Sequence, residues 1–278
     1  MTLHETRLSE AKRRAKSKRK RIIVGFLILA MVLLIGTGIY FFHDALPFVD
    51  RGAKSYETFK TVLPPKQISL HMTAIGDSLT MGVGDANEEG YAGRTADKLK
   101  HSDWVSRLSF KDYGVKGDTT DDLLKVLSRN DVQEDIRNSD IILMTIGGND
   151  LVNVLKRNLT TVQLDDFENR RVAYLKNLNK ILKAIRDLND RATLYYIGLY
   201  NPFEDLFPEL NDQIEAIINE WNQGSKTVLE LYPNTVFIPT YDLFKGKVPD
   251  VLSDDHFHPN AEGYQLIADR LVKVIEKK

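Results

Sequence analysis

The chain has 278 residues, 42% of them hydrophobic, no cysteine and a formal net charge of −1. That composition is ample for one large domain or two small ones, and most of the chain is expected to be globular. Without cysteine there is neither a lipoprotein attachment site nor a disulfide, so the fold must be stable on packing alone.

The charge is unevenly spread. Residues 1–21 carry nine Lys and Arg against Glu5 and Glu10, a net of +7, which leaves about −8 for the rest. A mildly acidic body gives no reason to expect nucleic-acid binding. The basic run abuts residues 22–42, which hold no charged side chain and are long enough to cross a bilayer as a helix. Lys and Arg stay on the cytoplasmic side, so the N-terminus is expected inside and everything after Phe42 outside. A cleaved signal peptide has a shorter apolar core and a small-residue cleavage site, whereas this segment exits through Tyr40-Phe41-Phe42. We therefore expect a cytoplasmic tail (1–21), a transmembrane signal anchor (22–42), an extracytoplasmic stalk (43–66) stiffened by Pro64-Pro65, and one domain (67–278).

From Gln67 onward, short β-rich runs alternate with longer amphipathic ones. Strands are expected near residues 69–75, 105–113 (weakly), 140–146, 193–199 and 235–239. Helices are expected near 92–101, 120–128, 165–188, 209–231 and 261–276. This alternation signals an α/β domain, a parallel sheet covered by helices on both faces. In such sheets the ligand site lies beyond the carboxyl ends of the strands.

Three chemistry-bearing segments follow the first three strands. Gly76-Asp77-Ser78-Leu79 places a serine at a strand-to-loop turn, although Ser or Asp is equally at home there as a helix cap. Gly117, in Gly117-Asp118-Thr119, can offer a backbone N–H to a developing oxyanion, or serve only as a turn into the next helix. Gly147-Gly148-Asn149-Asp150 ends a buried strand; two glycines let the backbone turn, and Asn149 can be a fixed amide donor or a local turn-former. A fourth segment, Asp255-His256-Phe257-His258-Pro259, precedes the last helix. Asp255 and His258 are three apart, a spacing at which a tight turn sets a carboxylate against Nδ1 and leaves Nε2 for a serine. Asp254 is the alternative orienter. His256 is expected to pack beside the site, and His71 to be a satisfied, partly buried strand residue. A metal reading of Asp254, Asp255, His256 and His258 lacks a distant His or Cys set to complete the sphere. Together the four segments supply what acyl transfer through a serine ester requires.

With these blocks in this order over residues 67–278, the sequence resembles the SGNH, or GDSL, hydrolase family, and within it the bacterial membrane-anchored lipase/acylhydrolases. The resemblance implies a flavodoxin-like three-layer α/β/α fold around a five-stranded parallel sheet. It makes Ser78 the nucleophile, His258 the base, Asp255 its orienter, and the amides of Ser78, Gly117 and Asn149 the oxyanion donors. No metal or organic cofactor is implied. The expected partner is a small-molecule, lipid or glycan ester; the membrane is met through the N-terminal helix, and no protein partner is legible. We expect the loops 150–165 and 200–207, with Leu151, Tyr200 and Phe203, to line the acyl site, the plainer alternative being surface helix or core filler. An O-acetyl esterase or an acyltransferase acting on cell-wall carbohydrate is the rival activity, and a non-catalytic surface module the rival class.

Overall fold

The computed structural model describes residues 67–87, 89–157 and 164–277. The expected tail, anchor and stalk lie outside them. Among the described residues no helix is long and apolar enough to cross a membrane.

Five parallel strands form one sheet in the order β2-β1-β3-β4-β5. They are β1 (Ile68–Gly76), β2 (Val105–Gly114), β3 (Ile141–Thr145), β4 (Thr193–Ile197) and β5 (Thr235–Ile238), each within two residues of the expected run. β3 is buried at all five positions, as a central strand covered on both faces requires. β2 was the weakest expectation because it is an edge strand that keeps Arg107, Lys111 and Asp112 exposed, a common guard against edge-to-edge pairing.

Alternate strand residues feed two separate cores. Leu70, Met72, Ala74, Ile141, Leu143, Tyr195 and Ile197 face one side. There they meet α2 (Gly90–Lys100), the short α8 (Tyr241–Phe244) and α9 (Val248–Val251), and the last helix α10 (Ala261–Ile275). Ile75, Ile142, Met144, Leu194 and Tyr196 face the other. On that side lie α3 (Thr120–Val126), α4 (Asn130–Asn138), α6 (Leu164–Leu188) and α7 (Asn211–Leu229). The result is the three-layer SGNH hydrolase fold that the resemblance implied.

Besides the four-residue helices, two longer ones depart from expectation. α4 was not anticipated, and α5 (Gly148–Arg157) occupies much of what was read as loop 150–165. In α5 the apolar Leu151, Val154 and Leu155 recur at helical spacing, a signal that the adjoining Gly-Gly pair obscured. His71 is also placed differently: it is exposed, beside Asp140 at 3.5 Å. Strand β3 first pairs with β1 at Met72, so the amino end of β1 projects past its central neighbour.

Candidate active site

β1 ends at Gly76, paired with Gly114 on one side and Thr145 on the other. A Cβ at Gly76 would lie 2.0 Å from the Thr145 carbonyl oxygen, and its φ is +142°, so only glycine lets the chain leave the sheet here. Asp77 then caps the four-residue helix α1 (Ser78–Met81), its Oδ1 accepting from Leu79 N–H at 3.1 Å. Ser78 is thus the first helical residue and Asp77 is the cap, which settles the question of which side chain does the capping. Thr145 Oγ1 donates to the same Asp77 oxygen at 2.8 Å. Asp77 is buried, and burial pushes its carboxyl pKa up against the pull of Thr145, Leu79 and the nearby His258.

His258, at the far end of the chain, meets Ser78 there. Its Nε2 is 2.8 Å from Ser78 Oγ, and its Nδ1 is 2.6 Å from Asp255 Oδ2. An ionised carboxylate only accepts, so the Nδ1 proton faces Asp255 and Nε2 is left to accept from the serine hydroxyl. Asp255 also receives the N–H groups of Phe257 and His258 and the Ser253 hydroxyl. Partial burial alone would raise its pKa, but His258, Ser253 and Phe257 outweigh it and hold the carboxyl well below the usual range. The turn is closed by Ser253 N–H to His258 O at 2.8 Å and by left-handed His256, φ +55°. Asp254 and His256 are exposed; His256 does not pack beside the site as expected, because it sits at the left-handed corner of the turn that delivers His258 and faces solvent. Among the described residues no His, Cys, Asp or Glu set is arranged to hold a metal.

The Gly117 and Asn149 loops come together. Asn149 Nδ2 donates to Asp118 O at 3.0 Å, which leaves its second amide hydrogen available. Among the described residues neither Ser78 N–H nor Gly117 N–H donates a backbone hydrogen bond; Gly117 is exposed, with φ +89° and open space around it. The two loops are cross-braced from below by Asp150, which is fully buried. Its carboxylate accepts Thr120 N–H at 2.9 Å and Thr120 Oγ–H at 2.8 Å, and pairs with Arg170 of α6. Burial raises the Asp150 pKa; Thr120 and Arg170 oppose it.

The family model for the GDSL-like lipases/acylhydrolases matches residues 74–266, a span that holds every residue just described. The chain belongs to that family. YpmR, an uncharacterized protein of Bacillus subtilis, is 38% identical over 209 residues, 74% of this chain and 82% of its own. The spore germination lipase LipC of Bacillus licheniformis is 32% identical over 218 residues, 73% and 95% of the two chains. Among solved structures, the lipase Lip_vut3 from a goat rumen metagenome superposes with a TM-score of 0.65 at 29% identity, covering 73% of this chain and 95% of that one. Membership places the chain among the GDSL-type esterases, lipases and acylhydrolases.

Beside the dyad of this GDSL-type hydrolase lies a cavity of about 560 Å³. Asp77 and Leu79, on either side of Ser78, belong to its wall, and so does Phe257 beside His258. The three residues expected to bind substrate, Leu151, Tyr200 and Phe203, all line it, as do Val152, Pro202 and Phe207. Leu206 of the same segment is instead exposed and Val154 is core. Tyr200 has a second task, since its hydroxyl donates to Phe257 O at 2.7 Å and its ring stacks on Phe244. Sequence reasoning missed the other half of the wall: Phe167 of α6, and Ile214, Ile217 and Ile218 of α7. Their spacing announces an apolar helix face, but nothing in it tells a face on a void from a face on the core.

Proposed function

We propose that the chain is a serine ester hydrolase that takes a multi-carbon acyl group into the cavity beside Ser78. The observation that carries this reading is His258 standing within hydrogen-bond reach of both Ser78 Oγ and Asp255. In the first half-reaction His258 Nε2 takes the Ser78 proton as Oγ bonds to the ester or thioester carbonyl carbon. The oxyanion is held by Ser78 N–H, Gly117 N–H and Asn149 Nδ2. As the bond to the alcohol or thiol breaks, His258 returns the proton to the leaving group, and acyl-Ser78 remains. Water, deprotonated by His258, then cleaves that ester, releasing the carboxylic acid and restoring the serine.

The cavity favours an acyl chain over an acetyl group. Its roughly 560 Å³ sits within the ~300–1,000 Å³ of typical small-molecule sites and far exceeds two carbons. Burying each methylene is worth about 0.8 kcal/mol, so kcat/KM is expected to rise by up to about 14-fold for every two carbons until the cavity is full. The relative named a spore germination lipase supports a lipid ester. Residues 22–42 support a single-pass anchor with the catalytic domain outside the cytoplasm, where lipids and acylated envelope polymers are met.

Ser78→Ala in the full-length, detergent-solubilised protein is expected to abolish hydrolysis of p-nitrophenyl esters and labelling by a fluorophosphonate. Wild-type turnover in that variant would remove Ser78 from the reaction.

A further inference from the structure

Gly147 and Gly148 stand side by side before Asn149, and the backbone explains only the first. Gly147 has φ +111°, and a Cβ there would lie 2.7 Å from Tyr174 Cε2. Gly148 has neither constraint. Its φ lies outside the left-handed range, and a Cβ would meet only Leu199 Cδ2, at an ordinary 3.9 Å. The other described glycines with ordinary φ (Gly93, Gly114, Gly198, Gly224 and Gly263) would each bring a Cβ within 3.3 Å of a neighbouring atom. Gly148 is moreover the first residue of α5, where alanine is the better helix former. Fold and local propensity both permit a side chain that the sequence does not have.

The vacant volume belongs to the acyl cavity. Gly148 is part of its wall, with Leu199 opposite, and it is bonded directly to Asn149. An ester whose carbonyl oxygen is held by the Asn149 amide must lead its first methylenes past this Cα to reach the apolar wall beyond. We propose that Gly148 is a specificity-determining residue: by carrying no side chain it keeps open the neck between the oxyanion donors and the cavity, and so admits straight acyl chains of several carbons. This rests on the acyl-serine reading above.

The test compares p-nitrophenyl acetate and octanoate hydrolysis by full-length wild type, Gly148→Ala and Gly148→Val. The octanoate-to-acetate ratio of kcat/KM is expected to fall about threefold with Ala and tenfold or more with Val, the penalty of overpacking a site. A ratio that stays within twofold of wild type overturns the proposal. So does an equal loss on both esters in both variants, which would assign Gly148 to oxyanion geometry instead. A wild type that cleaves octanoate while the ratio ignores Val defeats only the role of Gly148. A wild type that cleaves acetate and not octanoate defeats the acyl-cavity reading itself.

Discussion

The brace beneath the Gly117 and Asn149 loops invites a double-mutant cycle on Asp150 and Arg170. The Asp150 side chain is fully buried, whereas that of Arg170 is 23% exposed and also reaches Asp121 at 3.4 Å. Removing one partner of a buried pair costs about 3–5 kcal/mol because the survivor is left uncompensated. The two singles should therefore differ. Arg170→Met strands a carboxylate that burial already disfavours and is expected to cost about 3 kcal/mol. Asp150→Asn strands only a partly solvated guanidinium and relieves the buried charge, so about 2 kcal/mol is expected. At 2–4 °C per kcal/mol for a domain of this size, Tm should fall by roughly 6–12 °C and 4–8 °C respectively. The double variant should cost about 1–2 kcal/mol less than the sum of the singles. The sign of the pH effect is also set. With Arg170 gone, the folded-state pKa of Asp150 rises further above its unfolded value, so the deficit is largest at pH 8 and shrinks as the solution is acidified toward pH 5. Because the brace aligns Gly117 with Asn149, kcat at 20 °C should drop about tenfold or more, bounded by the ~10²–10³ cost of losing one oxyanion donor. Thermal melts by circular dichroism and p-nitrophenyl butyrate kinetics supply both readouts. Additivity within 0.5 kcal/mol together with undiminished kcat would show that the pair braces nothing.

Asp118 offers a stability test of the opposite sign. Its Oδ2 is buried without a hydrogen-bond partner, and burial, then the charges of Asp122 and Asp77, raise its pKa to about 6 against the pull of Lys125. A carboxyl whose folded pKa exceeds its unfolded ~3.9 favours the native state at low pH and penalises it as pH rises through about 6. Asp118→Asn, which cannot ionise, should gain on the order of 1 kcal/mol at pH 8 after allowance for partial exposure, and nothing at pH 4, measured as the difference in Tm. Gly147→Ala should cost about 3 kcal/mol, from left-handed strain and the 2.7 Å approach to Tyr174; a Tm within 2 °C of wild type would contradict it.

Much of the site was legible because its chemistry is local. Asp255 and His258 meet within one turn, Ser78 and Asn149 each follow a strand whose apolar run is plain in the sequence, and Gly117 follows the fainter edge strand β2, so a parallel sheet brings them to one edge. What stayed hidden depends on long-range packing. Thr145 reads as an ordinary strand residue until the register sets it beside Gly76 and Asp77. Arg170 lies 20 positions from Asp150 on a helix whose surface is otherwise full of charges, and no periodicity marks it as one that turns inward. The short helices α1, α8 and α9 are only four residues each, below the length at which a 3.6-residue repeat shows. Gly147 and Gly148 are the same letter with different reasons, and only dihedrals and neighbours separate them.

The placement of Ser78 follows from Asp77. A strand that must stop and present a hydroxyl leaves orphan amides at the start of the next helix, and in a buried place these cannot turn to water. Asp77 satisfies Leu79 N–H from within the turn and ties it to β3 through Thr145, which is itself held to Thr80 at 2.6 Å. Thr80 in turn lies 3.0 Å from the Tyr91 hydroxyl of α2. The position of Ser78 is thereby referred to the sheet and a second helix rather than to its own short helix, whose four residues would be too few to hold it. The same chain of hydrogen bonds leaves Ser78 N–H unspent, so that rigidity and the free amide on which the proposed oxyanion hole relies come from one capping carboxylate.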